Sequence, residues 1–135
     1  RERVLGELER RGVPQDHRDE AAGLVTAALE AAITDERGRW ILAPYPGAAN
    51  EVRMGLVEDG RVRLVVMDRV FAAPDGERWI VDYKTGRHEG ASPDAFLDRE
   101  RDRYADQLRR YDRALGGGAR LGLYFPLIPG WREIG

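Results

Sequence analysis

Two aspartates and one lysine, spaced along two candidate strands, are the residues of this sequence best suited to catalysis. Asp68 lies within RVRLVVMDRVF (61–71), and Asp82 and Lys84 lie two residues apart in RWIVDYKTG (78–86). Lys84 is the only lysine among 22 lysine and arginine residues. An ammonium group is a compact point charge, whereas a guanidinium group is a wide planar fork. The single lysine therefore suggests a role that arginine could not fill.

The two strands are predicted to pair as a hairpin that brings the aspartates together. Alternation along a strand places Asp82 and Lys84 on one face, and it places Asp68 on the face of Val62, Leu64, Val66 and Val70. If residue 72 pairs with residue 78 across the short connection, Asp68 lies opposite Asp82. The Cβ atoms of directly opposed residues lie about 4.5–5.5 Å apart.

Two carboxylates this close repel each other unless a cation lies between them. A hard divalent ion fits such a site, and Mg²⁺ in particular is often held by one or two carboxylates together with a substrate phosphate. A simpler interpretation is that the aspartates form ordinary ion pairs with Arg69 and Lys84. That interpretation is preferable for either aspartate alone, but the convergence of all three charged groups favours a metal site.

The surrounding elements predict a mixed α/β domain. Residues 1–11 are typical of the end of a charged helix, and a second helix begins at Asp16 or Asp19 and runs to about Ile33. Residues 43–50 are predicted to form a loop. Strands are predicted at about 51–57, 61–71 and 78–84, followed by a helix at about 95–115 and a last strand within ARLGLYFPL (119–127). The order is helix, three-stranded antiparallel meander, helix, strand.

Composition limits the possible classes of protein. The 135 residues fit one domain that spans residues 1–135, with a net charge of only −2, so nucleic acid would have to bind to a local basic surface. There are no cysteines, which excludes thiolate metal sites and is compatible with a cytoplasmic location. No apolar run approaches the ~20 residues of a membrane span, so no membrane partner is expected.

The segments VVMDRVF, DGERWIVDYKTGR and YADQLRRYDRAL, in this order and spacing, resemble the PD-(D/E)XK nuclease superfamily. More narrowly, they resemble the RecB-like nuclease domain at the C-terminus of helicase-nucleases of the UvrD/Rep type. The resemblance implies a restriction-endonuclease-like core, a mixed sheet with an antiparallel three-strand meander flanked by helices. It implies metal ligation by Asp68, Asp82 and the Tyr83 carbonyl, catalysis by Lys84, and DNA contacts from Gln107 and Tyr111.

The function implied by this resemblance is that of a Mg²⁺-dependent exodeoxyribonuclease, in which Mn²⁺ substitutes, acting in helicase-coupled processing of double-strand breaks. The implied partners are DNA, upstream helicase domains of the same polypeptide and a second helicase-nuclease subunit. ATP would act only through an upstream motor domain. We expect the chain to be a C-terminal fragment with an incomplete first core helix, weakly active or inactive when isolated.

Other interpretations remain open at this level. His17 and His88 are expected to be surface residues, and the histidine ligand usual in the family is expected upstream. Glu51 pairs with Asp68 if Asp59-Gly60 forms a two-residue turn, but a bulge would reverse its face. The main alternative function is a non-cleaving DNA-binding or subunit-docking module of the same fold. A hydrolase of small phosphate esters is a further alternative, although no nucleotide-binding loop is visible.

Overall fold

The computed structural model describes residues 15–86 and 92–135, with side chains in the first helix described from Ala22 onward. It comprises three helices and five strands. The helices are α1 (Gln15–Thr34), α2 (Glu36–Leu42) and α3 (Pro93–Leu115). The strands are β1 (Ala49–Glu58), β2 (Arg61–Ala72), β3 (Arg78–Tyr83), β4 (Arg120–Phe125) and β5 (Gly130–Ile134). The predicted helix at 1–11 lies outside the described residues.

The five strands form one mixed sheet in the order β1-β2-β3-β4-β5. Strands β1, β2 and β3 pair with one another in antiparallel order, as predicted for the meander. Strand β4 pairs in parallel with β3, and β5 returns antiparallel to β4. A parallel pair needs a long crossover connection, and α3 occupies this one. This is the architecture expected of a restriction-endonuclease-like fold.

The sheet separates two hydrophobic clusters. Helix α3 packs on one face, where Leu97 and Leu108 of the helix meet Met67, Ile80 and Leu123 of the strands. The other face is covered by α2 and the end of α1, and its cluster contains Ala32, Ile41, Phe71, Trp79, Val81 and Tyr124. Both faces of β3 are therefore buried, which confirms that this strand lies at the centre of the sheet.

Helix α3 has defined ends, close to those predicted. The Ser92 hydroxyl accepts a hydrogen bond from the main-chain N–H of Ala95, and Pro93 occupies the first helical turn. These features are typical of a helix N-terminus. Gly116 ends the helix in the left-handed conformation, with a φ of 108° that a side chain would disfavour. The helix is thus fixed across the sheet.

Two elements were not predicted from the sequence. Helix α2 follows α1 after a single residue, Asp35, whose carboxylate accepts from the main-chain N–H of Gly38 at 3.1 Å. A Cβ atom at Gly38 would lie 2.1 Å from the carbonyl oxygen of Ala32, so glycine allows the two helices to pack this closely. From the sequence alone, Gly38 favours a loop over a helix, so this helix was not predicted. The other element is β5, which is short and follows a proline-containing turn.

Candidate active site

The pairing of β2 with β3 brings Asp68 beside Asp82. Ala72 pairs with Arg78 and Arg69 with Val81, which is the predicted register and continues to place residue 68 opposite residue 82. Beyond these pairs the main-chain N–H of Tyr83 donates to Oδ2 of Asp68 at 2.8 Å. The Asp68 carboxylate thus accepts the hydrogen bond that a main-chain carbonyl would otherwise accept at this point of the β2–β3 pairing. This bond fixes the position of the Asp68 side chain at the end of the hairpin.

The alternation of side chains slips at Asp68. Met67 and Val70 belong to the same cluster beneath α3, although three residues apart in a regular strand would place them on opposite faces. The prediction that Asp68 shares a face with Val62 and Leu64 is therefore wrong, and those two side chains are 79% and 65% exposed. The cause is a backbone irregularity at the point where β1 and β2 face each other. The β1–β2 register places Glu51 opposite Asp68, and Glu51 has a φ of 50°.

Asp82 is buried, with 4% of its surface exposed, and its contact with Lys84 is close. The Lys84 Nζ atom lies 2.8 Å from Oδ2 of Asp82. Oδ2 is buried, and the Lys84 ammonium is the charged group that lies against it. Burial of a carboxylate is costly unless a cation offsets its charge, so the surroundings of Asp82 favour positive charge at Oδ2.

The ammonium group of Lys84 is held from two sides. Besides Asp82, it lies 3.9 Å from the centre of the Tyr104 ring, a short cation–π contact. The main-chain N–H of Lys84 donates to the carbonyl oxygen of Tyr124 at 2.9 Å, which fixes its backbone against β4. Tyr104 was not among the predicted site residues. The available signal was its position three residues before Gln107 on the same helical face.

Burial and the neighbouring carboxylate raise the pKa of Asp68 to about 7. Burial has the largest effect, followed by the hydrogen bond and the charge interaction with Asp82, while the Tyr83 N–H and Lys84 oppose the shift. Near neutral pH, Asp68 therefore holds a proton part of the time. Two acidic groups that cannot both ionise easily in one place are typical of functional sites and of empty cation sites.

Helix α3 places the two predicted DNA-binding residues over this site. Tyr111 is 7% exposed, and its pKa is raised to about 12 by burial and by the charges of Asp82 and Asp68. Gln107 hydrogen-bonds with Tyr111, and its Oε1 atom is buried without a partner. The structure thus gathers Asp68, Asp82, Lys84, Gln107 and Tyr111 into one region. Their functional roles remain predictions.

The donor atoms suit a hard divalent cation, although the described residues provide few of them. Within residues 15–86 and 92–135 no group of three or more histidine, cysteine, aspartate or glutamate side chains could hold a metal. The two carboxylates are oxygen donors of the kind that a hard divalent cation takes, together with water and phosphate oxygens.

The remaining candidate ligands are placed as follows. Glu51 is exposed and lies opposite Asp68, as the turn at Asp59-Gly60 predicted. Both turn residues have positive φ values, 50° and 74°, as a two-residue hairpin turn of this type requires. The main chain of His17 lies in α1, but its side chain, like His88 as a whole, falls outside the described part of the chain.

Comparison with known proteins agrees with this fold. A family model of the PD-(D/E)XK nuclease superfamily matches residues 1–124, and the chain belongs to that superfamily. Its members are nucleases that generally use divalent metals and bind DNA. A comparison with curated proteins finds no match. None of the described helices is long and apolar enough to cross a membrane.

Among solved structures, the chain is similar to the crystal structure of SSO0001, with a TM-score of 0.51 and 17% sequence identity. The match covers 98% of this chain and 60% of that chain. The chain therefore spans about three-fifths of the length of that structure. At this identity the likeness shows the fold alone.

The raised pKa of Asp68 predicts that the metal-free protein gains stability as the pH falls from 8 to 5. The folded protein binds a proton at Asp68 below about pH 7, whereas the unfolded chain does so only near the ordinary value of 3.8. Ionised Asp68 destabilises the folded state. Protonation of Asp68 as the pH falls from 8 to 5 removes on the order of 3 kcal/mol of this destabilisation. Urea unfolding in EDTA at each pH measures the effect.

The matched variant is Asp68→Asn, which keeps the size of the side chain but cannot ionise. The difference in unfolding free energy between the variant and the natural chain should be largest at pH 8 and should shrink towards pH 5. If this difference does not change with pH, Asp68 titrates at its ordinary pKa.

Proposed function

We propose that this chain is a metal-dependent DNA nuclease domain that hydrolyses phosphodiester bonds as an exodeoxyribonuclease. The observation that carries this proposal is the juxtaposition of Asp68, Asp82 and Lys84. Asp82 is buried and Asp68 half-buried, burial and Asp82 raise the pKa of Asp68 to about 7, and an ammonium group lies 2.8 Å from Asp82. Membership of the PD-(D/E)XK superfamily supports the same chemistry.

Each residue has a distinct task in this proposal. Asp68, Asp82 and the Tyr83 carbonyl hold a divalent cation, Mg²⁺ or Mn²⁺. When bound, the cation supplies charge neutralisation for the scissile phosphate and lowers the pKa of the attacking water. Lys84 directs its ammonium group at the negative charge that develops during in-line attack on phosphorus. The product has a 5′-phosphate end.

The helix above the site has a supporting task. Tyr104 keeps the Lys84 ammonium in place, because the ring and the Asp82 carboxylate contact it from two directions. Gln107 and Tyr111 hold the DNA close to the carboxylates. The Oε1 atom of Gln107 is buried and unpaired, so an ordered water would supply the donor that it lacks.

We further propose that the domain, residues 1–135, acts at the C-terminus of a longer helicase-nuclease that processes double-strand breaks. The RecB-like order of MDR, DYKTG and QLRRY supports this context. In it, upstream helicase domains would use ATP to deliver DNA, and a second helicase-nuclease subunit would be a partner. The sequence upstream of Arg1 tests this: a motor domain and a helix carrying a histidine ligand are expected there.

Removal of the metal tests the catalytic proposal. The full-length polypeptide is incubated with linear DNA in Mg²⁺, in Mn²⁺ and in EDTA, and the release of short products with 5′-phosphate ends is measured. Cleavage is expected with either metal and should be lost in EDTA, because the phosphate charge is then not neutralised. Equal degradation in all three conditions would contradict the metal mechanism.

A non-cleaving DNA-binding or subunit-docking module of the same fold is the second candidate. It is favoured by the small number of metal ligands among the described residues. This alternative predicts DNA or subunit binding without cleavage in Mg²⁺ or Mn²⁺, so the same experiment discriminates between the two functions.

A further inference from the structure

All three tryptophans of this chain lie in one cluster, away from the aspartates. Trp40 comes from α2, Trp79 from β3 and Trp131 from β5. Ring centroids are 5.1 Å apart for Trp40 and Trp79, 5.9 Å for Trp40 and Trp131, and 5.6 Å for Trp79 and Trp131. The three rings come from elements that are distant in sequence. Trp40 and Trp131 are half-buried, whereas Trp79 is 5% exposed and the Arg120 guanidinium carbon lies 4.5 Å from its ring centre.

A cavity of about 440 Å³ adjoins this cluster. Its volume lies within the range of roughly 300–1,000 Å³ that is typical of small-ligand sites. The cavity is reachable from solvent, because several of its lining residues are exposed. It is lined by the three tryptophans with Arg37, Arg120, Asp75, Glu133, Ala73 and Pro74.

Arg37 gives the cavity an available hydrogen-bond donor. Its guanidinium carbon lies 4.9 Å from the centre of the Trp40 ring and 4.7 Å from that of Trp131, so two rings hold the group in place. None of the ion pairs among the described residues involves Arg37. In contrast, Arg120 is paired with Glu133 through two hydrogen bonds, of 2.6 and 2.9 Å. The N–H groups of Arg37 can therefore meet an incoming anion.

The cavity is separate from the candidate active site. Trp79 belongs to the cluster under α2, whereas Ile80 belongs to the cluster under α3, so Asp82 projects from the face opposite Trp79. Three residues of strand also separate Trp79 from Asp82, about 10 Å along β3. A ligand in this cavity would leave the carboxylates free.

We infer that this cavity binds one nucleotide unit of single-stranded DNA, with the base stacked on the tryptophan and Arg37 surface and a phosphate bound by Arg37. Stacking on aromatic side chains and on arginine is the main way in which proteins bind single strands without sequence preference. In a duplex the bases are paired and stacked on each other, so they cannot enter. The choice of DNA as the ligand rests on the proposed function of the domain.

The charges around the cavity predict how binding should respond to salt. Two arginines and two acids line it, and Arg120 is already neutralised by Glu133. About one phosphate should therefore be bound, which gives a slope of roughly −0.7 in a plot of log K against log salt concentration. Stacking would supply most of the affinity.

Tryptophan fluorescence of the chain offers a direct test, because all its tryptophans border this cavity. The chain is titrated with a short oligothymidylate, a matched duplex, and thymidine monophosphate, all in EDTA so that cleavage cannot occur. We expect quenching by the single strand and not by the duplex. Arg37→Ala should weaken binding about tenfold and flatten the salt dependence, since a charged hydrogen bond to phosphate is lost.

The control variant is Arg61→Ala, which removes the same charge from the exposed β1–β2 turn and should leave the quenching unchanged. Absence of quenching by the single strand, or equal quenching by the duplex, would overturn the inference. Unchanged affinity in Arg37→Ala would do the same. Thymidine monophosphate carries the same base and phosphate and should compete with the oligonucleotide for the cavity; an oligonucleotide that it does not displace would overturn the assignment to one nucleotide unit.

These outcomes are independent of the catalytic test. Absent quenching alongside metal-dependent cleavage would reject only the single-strand site. Single-strand quenching without any metal-dependent cleavage would reject only the nuclease proposal.

Discussion

Replacing Asp82 by asparagine is expected to lower metal-dependent DNA cleavage by about a thousandfold or more. A catalytic metal contributes several kcal/mol of transition-state stabilisation, and each 1.36 kcal/mol corresponds to a factor of ten in rate. Asp82 is the more buried of the two carboxylates, and the Lys84 ammonium lies against its Oδ2 atom. An amide at this position cannot supply the missing negative charge. Cleavage of end-labelled linear DNA in Mg²⁺ measures the loss.

The fold should tolerate this change. Asparagine has nearly the same shape as aspartate, and its amide ends the repulsion that helps to raise the pKa of Asp68. Circular dichroism should therefore be unchanged, and the variant should retain DNA binding. The control is Asp106→Asn, in a side chain that is 95% exposed on α3. Full activity of Asp82→Asn, with Mg²⁺ still required, would show that the metal is held elsewhere.

Replacing Lys84 by arginine is expected to lower the cleavage rate about a hundredfold while the positive charge is retained. Loss of one positioned group that stabilises transition-state charge costs ~10²–10³ in rate. The ammonium fits between Oδ2 of Asp82, at 2.8 Å, and the Tyr104 ring, at 3.9 Å. A guanidinium group is wider and planar, so it would displace the water or the phosphate that the site must accommodate. Single-turnover cleavage with the enzyme in excess isolates this effect.

A reverse exchange serves as the control for this substitution. Arg103 lies 5.3 Å from the centre of the same tyrosine ring and has a side chain that is 70% exposed. Arg103→Lys should leave the rate nearly unchanged. If Lys84→Arg also cleaves at a near-normal rate, Lys84 acts only as a counter-ion for Asp82, and the simpler interpretation of the sequence is correct.

Local chemistry explains why much of the hairpin could be predicted. Asp59 and Gly60 both adopt positive φ values in a two-residue turn, and turns of this kind fix the register of the strands that follow. The short connection after Ala72 likewise fixes the register of β2 and β3, and this register places Asp68 opposite Asp82. The spacing of Asp82 and Lys84 follows from strand alternation alone.

Other features required contacts between distant parts of the chain. No local pattern in the sequence indicates that β4 pairs in parallel with β3, or that β5 completes the sheet, because these pairings depend on how α3 crosses the sheet. The slip in alternation at Asp68 arises opposite Glu51, 17 positions away in the sequence. Alternation counted along β2 alone could not reveal it.

The sequence by itself determined the candidate catalytic side chains and the order of the central elements, since residue type, turn chemistry and strand period are properties of short segments. Only the tertiary structure decided the electrostatics of the site and the second cavity. The pKa of Asp68 depends on burial beneath α3 and on Asp82. The Tyr104 ring reaches Lys84 only because the helix crosses β3, and the three tryptophans meet only when α2 and β5 pack beside that strand. Desolvation and ring contacts depend on distances in space, which spacing along the chain does not fix.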